Sequence, residues 1–290
     1  MGGDARLILV LGMHRSGTSA FARALQVFGA ALGEDLLPAH PCNPKGFFED
    51  GQVYAFNKSL LAHLGRTWRD VPPPGAQEQR ALATGEWGAD ALALLHEKTA
   101  GHPLFGLKDP RISILLPFWR PVLAAAGVAP QCVICLRAPD SVAHSLARRD
   151  GLPAETSCAL WAAHTLGALT GSAGLPRCCV AYEALLREPA AQLDRLGAAL
   201  HLAADAAERQ TFLTDFLDSS LCHHRPDKGD ASAGNGPYAT LARDIHAGLC
   251  ADDTAPLSPD SPAATRLTGQ WLARLRRLPP PAAGDSGTAA

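Results

Sequence analysis

Short apolar segments alternate with longer amphipathic stretches along this chain. Four runs of consecutive hydrophobic residues lie at residues 7–11, 104–107, 132–136 and 178–182. A short continuous apolar run is typical of a strand that is buried on both faces of a parallel sheet. The stretches between the runs have helical periodicity, so the alternation predicts an α/β fold, a doubly wound parallel sheet flanked by helices.

Helices are predicted wherever hydrophobic residues recur at three- and four-residue spacing. The predicted segments lie near 52–64, 77–99, 112–126, 139–149, 155–169, 183–200 and 205–217. A long insertion that includes two of them separates the first two strands, and it adds residues that can shape a binding site.

The composition changes after His224, where Gly, Ser, Ala, Asp and Pro become frequent. We therefore predict one α/β domain over residues 1–225 and a partly disordered tail over residues 226–290. Within the tail, residues 264–278 place Leu267, Trp271, Leu272 and Leu275 on one helical face. This pattern favours a helix that docks on its own domain or on a partner.

Length, charge and cysteine content narrow the classes of protein. A chain of 290 residues with a formal net charge of −2 suits one large domain and argues against a broad nucleic-acid-binding surface. No apolar run is long enough to span a membrane or to form a signal-peptide core, so we expect a cytoplasmic protein. The eight cysteines are scattered, which predicts free thiols and no metal site.

The most informative segment follows the first apolar run, from Gly12 to Ser19, with the sequence GMHRSGTS. A buried strand that enters a glycine-framed turn and then a helix presents free amide groups that attract phosphate. The spacing from Gly12 to Gly17 fits the start of a Walker A loop, but Thr18 stands where that motif has lysine. Arg15 supplies a cation from inside the loop. The loop therefore predicts a site for a 5′-phosphate that carries a group other than a phosphate chain.

A second anion site is predicted at the end of the third strand. Arg137 ends this strand, and Ser145 follows eight residues later in the next predicted helix. A guanidinium and a hydroxyl in this arrangement can hold one phosphate, since ligands bind at the carboxyl ends of the strands in open α/β sheets. Two neighbouring anion sites predict a nucleoside that is phosphorylated at both ends.

At these residues the chain resembles the sulfotransferases that use 3′-phosphoadenosine 5′-phosphosulfate. Residues 12–19 are similar to the 5′-phosphosulfate loop of that family, and Arg137 with Ser145 is similar to its 3′-phosphate element. Residues 43–50 and 108–111 resemble segments of bacterial members. The resemblance covers residues 7–224. It implies a fold related to the P-loop nucleotide kinases and transfer of a sulfuryl group to an acceptor hydroxyl or amine, with no metal required.

The resemblance also implies roles for particular residues. The donor's 5′-phosphate would be held by His14, Arg15, Ser16, Gly17, Thr18 and Ser19. Arg15 would replace the loop lysine, and Lys108 would stabilise the leaving phosphate. Tyr182 would lie near the adenine, although packing in the core is an equal interpretation. The basic residues at 223–225 and 228 would cover the 3′-phosphate.

The general base is open among three residues. Glu49, Glu34 and His14 each fit the requirement for a carboxylate or histidine near the acceptor hydroxyl. We favour Glu49, because Phe47 and Phe48 beside it would desolvate the carboxylate and raise its basicity. In the alternative interpretation Glu49 pairs with Lys45 or caps the next helix.

The acceptor is expected to be a saccharide or another small or lipid-linked metabolite. Arg111 and Lys45 are candidate contacts for the acceptor or the sulfate, and Trp68 and Trp87 are the tryptophans of interest in the insertion. The sequence leaves the acceptor's identity and the oligomeric state open. Two other functions compete, namely an ATP- and Mg²⁺-dependent phosphotransferase of the related kinase fold and a non-catalytic nucleotide-binding protein.

Overall fold

Four parallel strands form the central sheet of the protein. The computed structural model describes residues 6–128, 130–217, 234–250 and 256–281. The strands are β1 (Arg6–Leu11), β2 (Leu104–Lys108), β3 (Gln131–Leu136) and β4 (Arg177–Ala181), in the order β2-β1-β3-β4. All neighbours pair in parallel, which confirms the predicted sheet. Tyr182 is the first residue of a helix and not the last residue of β4.

Alternate residues of each strand enter two separate cores, because successive side chains in a strand point to opposite faces. In β1, Leu7, Leu9 and Leu11 join one core, while Ile8 and Val10 join the other. All five are at most 1% exposed. Burial on both faces explains why β1 and β3 appear in the sequence as continuous apolar runs.

Twelve α-helices are present in the described residues. Their bounds are α1 Thr18–Gln26, α2 Gly51–His63, α3 Ala76–Leu82, α4 Glu86–Thr99, α5 Ile112–Ala125, α6 Pro139–Asp150, α7 Ala154–Gly171, α8 Tyr182–Arg187, α9 Pro189–Leu200, α10 Ala206–Thr211, α11 Pro237–Leu249 and α12 Pro262–Leu275. Helices α1, α8 and α9 cover the Ile8 face of the sheet, and α2, α4, α5, α6, α7 and α11 supply the core on the Leu7 face. None of the described helices combines the length and apolar character that a membrane span needs.

Two predicted helices are each divided in the structure. The segment 77–99 separates into α3 and α4, and 183–200 separates into α8 and α9. Pro189 begins α9, since proline fits the first turn of a helix but lacks the amide that would continue α8. The segment 205–217 ends in a π-helical turn at Phe212–Phe216.

The predicted tail contains two helices that pack on the domain. The composition did not predict α11, yet its Leu241, Ile245 and Leu249 are fully buried. The carboxylate of Glu155 in α7 accepts hydrogen bonds of 3.0 Å from the amides of Tyr238 and Ala239, at the start of α11. In α12, Trp271 is 6% exposed and packs into the core of the Leu7 face. Residues 226–233, 251–255 and 282–290 of the predicted tail lie outside the described residues.

Candidate functional site

The loop between β1 and α1 has the backbone geometry of an anion cradle. Arg15 and Gly17 adopt positive φ angles of 69° and 81°. A Cβ atom on Gly17 would lie 2.3 Å from Cδ2 of Tyr182, so glycine is required there for space as well as for conformation. The first amides of α1, beginning at Thr18, have no intrahelical acceptor, and the helix dipole favours an anion at this end.

Arg15 and Arg137 lie side by side at this loop. Arg137 donates a hydrogen bond of 2.9 Å from Nη1 to the backbone oxygen of Arg15. Arg15 donates from Nε to Oγ of Ser145 at 2.8 Å and from Nη1 to the backbone oxygen of Cys42 at 3.0 Å. The guanidinium of Arg137 also lies 4.9 Å from the ring centroid of Tyr182. The structure therefore brings together the residues predicted for both phosphate sites.

Neither arginine of this pair has a carboxylate within ion-pair distance among the described residues. Burial lowers the pKa of Arg15, and the positive charges of Arg149 and Arg137 lower it further. Nε of Arg137 and Oγ of Ser16 are buried without a hydrogen-bond partner in the described part of the chain. Buried donors and unpaired cations of this kind are costly unless a ligand satisfies them, so the site is built for an anion.

Lys108 and Glu49 form a buried ion pair on the other side of the loop. Nζ of Lys108 lies 2.5 Å from Oε1 of Glu49, donates to the backbone oxygen of Phe47 at 2.9 Å and reaches Oγ of Ser19 at 3.3 Å. Burial raises the pKa of Glu49 above its usual value, although the nearby Lys108 acts to lower it. Lys108 therefore contacts both the phosphate loop and the favoured base.

Glu49 neither pairs with Lys45 nor caps the next helix, as the alternative interpretation expected. Its carboxylate faces Lys108 and Arg111, at 2.5 and 3.8 Å, while the half-buried Lys45 donates to the backbone oxygen of Asp215 at 2.9 Å. The residue that caps α2 is Asp50, whose Oδ1 accepts from the amides of Gln52 and Val53. Glu49 is thus held in the site by two basic side chains.

Arg111 is fixed by a chain of buried polar groups. It pairs with Asp109 at 2.9 Å, and Oδ2 of Asp109 accepts a hydrogen bond from Nδ2 of Asn57. Nε1 of Trp119 donates to Oδ1 of Asn57 at 2.9 Å. The guanidinium of Arg111 lies 4.5 Å from the ring centroid of Tyr54. Asn57 and Tyr54 are contributions of α2 that sequence reasoning missed, because no motif singles them out.

His14 and Glu34, the other candidates for the base, have different environments. His14 is 8% exposed, its Nε2 has no partner among the described residues, and its ring centroid lies 4.4 Å from that of Trp68. Burial lowers the pKa of His14 well below its usual value, and the charges of Arg111, His164, Arg149 and Lys108 lower it further, so the imidazole is neutral at pH 7. Glu34 is exposed and does not line the cavity that the other two share.

One cavity of about 370 Å³ is lined by most of the charged and aromatic groups described above, namely His14, Arg15, Glu49, Lys108, Arg111, Arg137 and Tyr182. Its lining includes seven basic and two acidic side chains, although the whole chain has a net charge of −2. Sequence reasoning missed Arg69, Arg149 and Asp150 in this lining. The position of Arg149 could have been predicted from the sequence, since it lies four residues after Ser145 and thus on the same face of α6.

The two tryptophans of interest separate in the structure. Trp68 lines the cavity, whereas Trp87 packs on Phe56 and His63 at centroid distances of 5.5 and 5.2 Å. Leu186, Phe216 and Leu217 form an apolar wall in the cavity lining. The basic residues at 223–225 and 228, predicted to cover the 3′-phosphate, lie outside the described residues.

A scan against protein-family profiles and a search of curated proteins found no match for the chain. Among solved structures it is similar to the sulfotransferase domain from the curacin biosynthetic pathway, with 16% identity and a TM-score of 0.44 over 92% of this chain and 97% of that one. It is also similar to the sulfotransferase domain of the Synechococcus PCC 7002 olefin synthase, with 17% identity and a TM-score of 0.45 over 85% and 96% of the two chains. A third similar structure is sulfotransferase STF1 from Mycobacterium tuberculosis H37Rv, with 15% identity and a TM-score of 0.42 over 76% and 74%.

Proposed function

We propose that this protein is a sulfotransferase that uses 3′-phosphoadenosine 5′-phosphosulfate and transfers the sulfuryl group to an acceptor hydroxyl. One observation carries the proposal. Two guanidiniums, those of Arg15 and Arg137, lie beside a helix-capped phosphate loop with no carboxylate partner among the described residues. Such a pair calls for a ligand with more than one anionic group.

The residues present fit this donor. The loop amides and Ser19 suit its 5′-phosphosulfate, while Arg137, Arg15 and Ser145 suit its 3′-phosphate. Tyr182 lies between the two places, since its ring is close to both Gly17 and the Arg137 guanidinium. The ring and the apolar wall in the cavity lining supply a surface for the adenine.

The same residues support an in-line transfer. The acceptor oxygen forms a bond to sulfur as the bond from sulfur to the 5′-phosphate oxygen breaks, and this oxygen keeps the electron pair. Glu49 takes the hydroxyl proton, for which its raised pKa suits it. Lys108 and the loop amides stabilise the charge on the departing phosphate, since Lys108 already reaches Oγ of Ser19.

Calorimetric titration with adenosine 3′,5′-bisphosphate tests the donor site. The wild type should bind this ligand, and Arg137→Ala should bind it at least about tenfold more weakly, because a charge-assisted hydrogen bond is lost. ADP, which lacks the 3′-phosphate, should bind weakly to both proteins. Equal affinity of the wild type and Arg137→Ala for the bisphosphate would reject the site.

One observation supports a competing function, that of an ATP- and Mg²⁺-dependent phosphotransferase. Thr18 occupies the position of the Walker lysine, but Lys108 reaches the same loop from β2 at 3.3 Å from Ser19. A lysine near the loop could serve a terminal phosphate. Metal-dependent turnover of ATP, with no preference for the 3′-phosphorylated nucleotide, would favour this function over the sulfotransferase.

A further inference from the structure

Two arginines outside the donor site meet at one tryptophan. The guanidinium carbons of Arg69 and Arg149 lie 5.1 and 5.5 Å from the ring centroid of Trp68. Both arginines pair with the carboxylate of Asp150, at 3.1 Å for Arg69 and 2.6 Å for Arg149. We call these four residues the Trp68 corner.

The Trp68 corner carries an excess of positive charge. One carboxylate is shared by two guanidiniums, and all four residues line the cavity. The side chains of Arg69 and Arg149 are 48% and 19% exposed, so an incoming ligand can reach them. Contact with the indole holds both groups in place, which lowers the entropic cost of binding an anion.

Trp68 also connects the corner to the reacting end of the cavity. Its ring is 4.4 Å from that of His14, the loop residue whose buried Nε2 has no partner in the described part of the chain. His14 also lines the cavity, and a buried polar atom without a partner is costly unless a ligand group such as a hydroxyl satisfies it. The ring of Trp68 thus lies between His14 of the loop and the guanidiniums of Arg69 and Arg149.

We propose that the Trp68 corner binds an anionic group on the acceptor. The acceptor is then a small ring compound, such as a sugar, in which a carboxylate or phosphate sits on the same ring as the reactive hydroxyl. The hydroxyl lies near His14 and Glu49, and the anion binds Arg69 and Arg149 across Trp68. This inference rests on the proposed sulfotransferase function and names its class of acceptor.

The competing role for the Trp68 corner is to bind the 3′-phosphate of the donor. Arg149 lies four residues after Ser145 on α6, and its charge lowers the pKa of Arg15. Arg69 belongs to the insertion between β1 and β2. Within the described residues, the ion pair that it forms is with Asp150. Arg69 is therefore the variant that separates the two roles.

The test uses the full chain and calorimetric titration, first with the donor product and then with sugars. The variants are Arg69→Gln and Arg149→Gln, with the exposed neighbours Arg66→Gln and Arg148→Gln as matched controls. Each protein is titrated with adenosine 3′,5′-bisphosphate. Each is then saturated with the bisphosphate and titrated with glucuronate, with glucose 6-phosphate and with glucose.

We expect at least one of the two anionic sugars to bind the wild type about tenfold more tightly than glucose, the worth of one charge-assisted contact. This preference should disappear in Arg69→Gln and Arg149→Gln and persist in both controls. Binding of the bisphosphate to Arg69→Gln should match the wild type.

Three results overturn the inference. If neither anionic sugar is preferred while the bisphosphate binds, the acceptor class is wrong and the donor site stands. If Arg69→Gln weakens the bisphosphate as strongly as Arg137→Ala does, the corner belongs to the donor. If the wild type does not bind the bisphosphate, the proposed function fails and this inference fails with it.

Discussion

Nε of Arg15 donates a hydrogen bond of 2.8 Å to Oγ of Ser145, which joins the phosphate loop to α6. Arg137 completes the connection by donating to the backbone oxygen of Arg15. The side chain of Arg15 thus lies with Arg137 and Ser145, while Lys108 supplies the cation near Ser19. Arg15, predicted for the first anion site, therefore contacts both residues that are predicted for the second.

A double-mutant cycle measures this connection. Ser145→Ala should weaken binding of adenosine 3′,5′-bisphosphate by about 1 kcal/mol, the net worth of a typical hydrogen bond. Arg15→Gln should weaken it more. Because the two side chains contact each other, we expect the double variant to lose less than the separate effects predict, by about 0.5 kcal/mol or more. Strictly additive losses in calorimetry would show that Arg15 and Ser145 act independently on the ligand.

Substitution of Gly17 should disturb both folding and binding. Alanine there must adopt a φ near 81° and place its Cβ 2.3 Å from the Tyr182 ring, so the ring has to move. Gly29→Ala is the matched control, because its φ is 79° and no atom lies within 4 Å of the added Cβ. Urea unfolding should show a loss of about 1 kcal/mol for Gly29→Ala and a larger loss for Gly17→Ala.

The two glycine variants should differ most in ligand binding. Gly17→Ala is expected to weaken the bisphosphate at least about tenfold, because the loop and Tyr182 both shift, whereas Gly29→Ala should leave the affinity unchanged. Normal affinity in Gly17→Ala would mean that Tyr182 is not part of the site.

Glu49→Gln should separate turnover from donor binding. Removing the base is expected to lower transfer of a labelled sulfuryl group about 10² to 10⁴-fold, while affinity for the bisphosphate is not reduced. Since burial raises the pKa of Glu49, wild-type activity should fall with decreasing pH below a midpoint above the usual carboxyl range. The residual activity of Glu49→Gln should not show this decrease at low pH.

His14→Asn is the companion experiment for the base. If this variant loses turnover and Glu49→Gln does not, the proton passes to the unpartnered imidazole and Glu49 serves to position Lys108. An unchanged decrease of activity at low pH in Glu49→Gln would lead to the same reassignment.

Acid stability should depend on His164, a buried histidine behind His14. Burial lowers the pKa of His164 to about 4, against about 6.5 for an unfolded histidine. As the pH falls, the unfolded state therefore takes up a proton before the folded state does. The free energy of unfolding is unaffected by protonation of this histidine above pH 6.5 and decreases as the pH falls from 6.5 toward 4. The expected loss of unfolding free energy is about 3 kcal/mol.

Urea unfolding of the wild type and His164→Gln at pH 7 and pH 4.5 measures this contribution. Glutamine keeps a donor for the backbone oxygen of Leu160, which Nδ1 of His164 contacts at 2.9 Å, but cannot be protonated. The variant should lose less stability on acidification than the wild type. An equal loss would show that other groups account for the acid sensitivity.

Local sequence patterns were sufficient for much of this fold. All four strands were predicted, and the reason is clearest in β1, where the residues 7–11 are buried on both faces of the sheet and are all apolar. The helix α11 was missed since it follows a polar segment rich in Gly, Ser, Ala and Asp and is stabilised by contacts from α6 and α7, such as those of Glu155. A helix whose stability comes from tertiary packing leaves a weaker local signal.

The sequence by itself determined the strands, the glycine-framed loop after β1 and the basic residues that follow the strands, because these depend on neighbours in the chain; the two anion sites stay predictions. Only the tertiary structure decided that Arg15 contacts Ser145, that Glu49 pairs with Lys108 and that Arg69 and Arg149 meet on Trp68. These contacts join segments far apart in the chain. Their geometry follows from how the sheet and helices pack, which the spacing of residues along the chain does not specify.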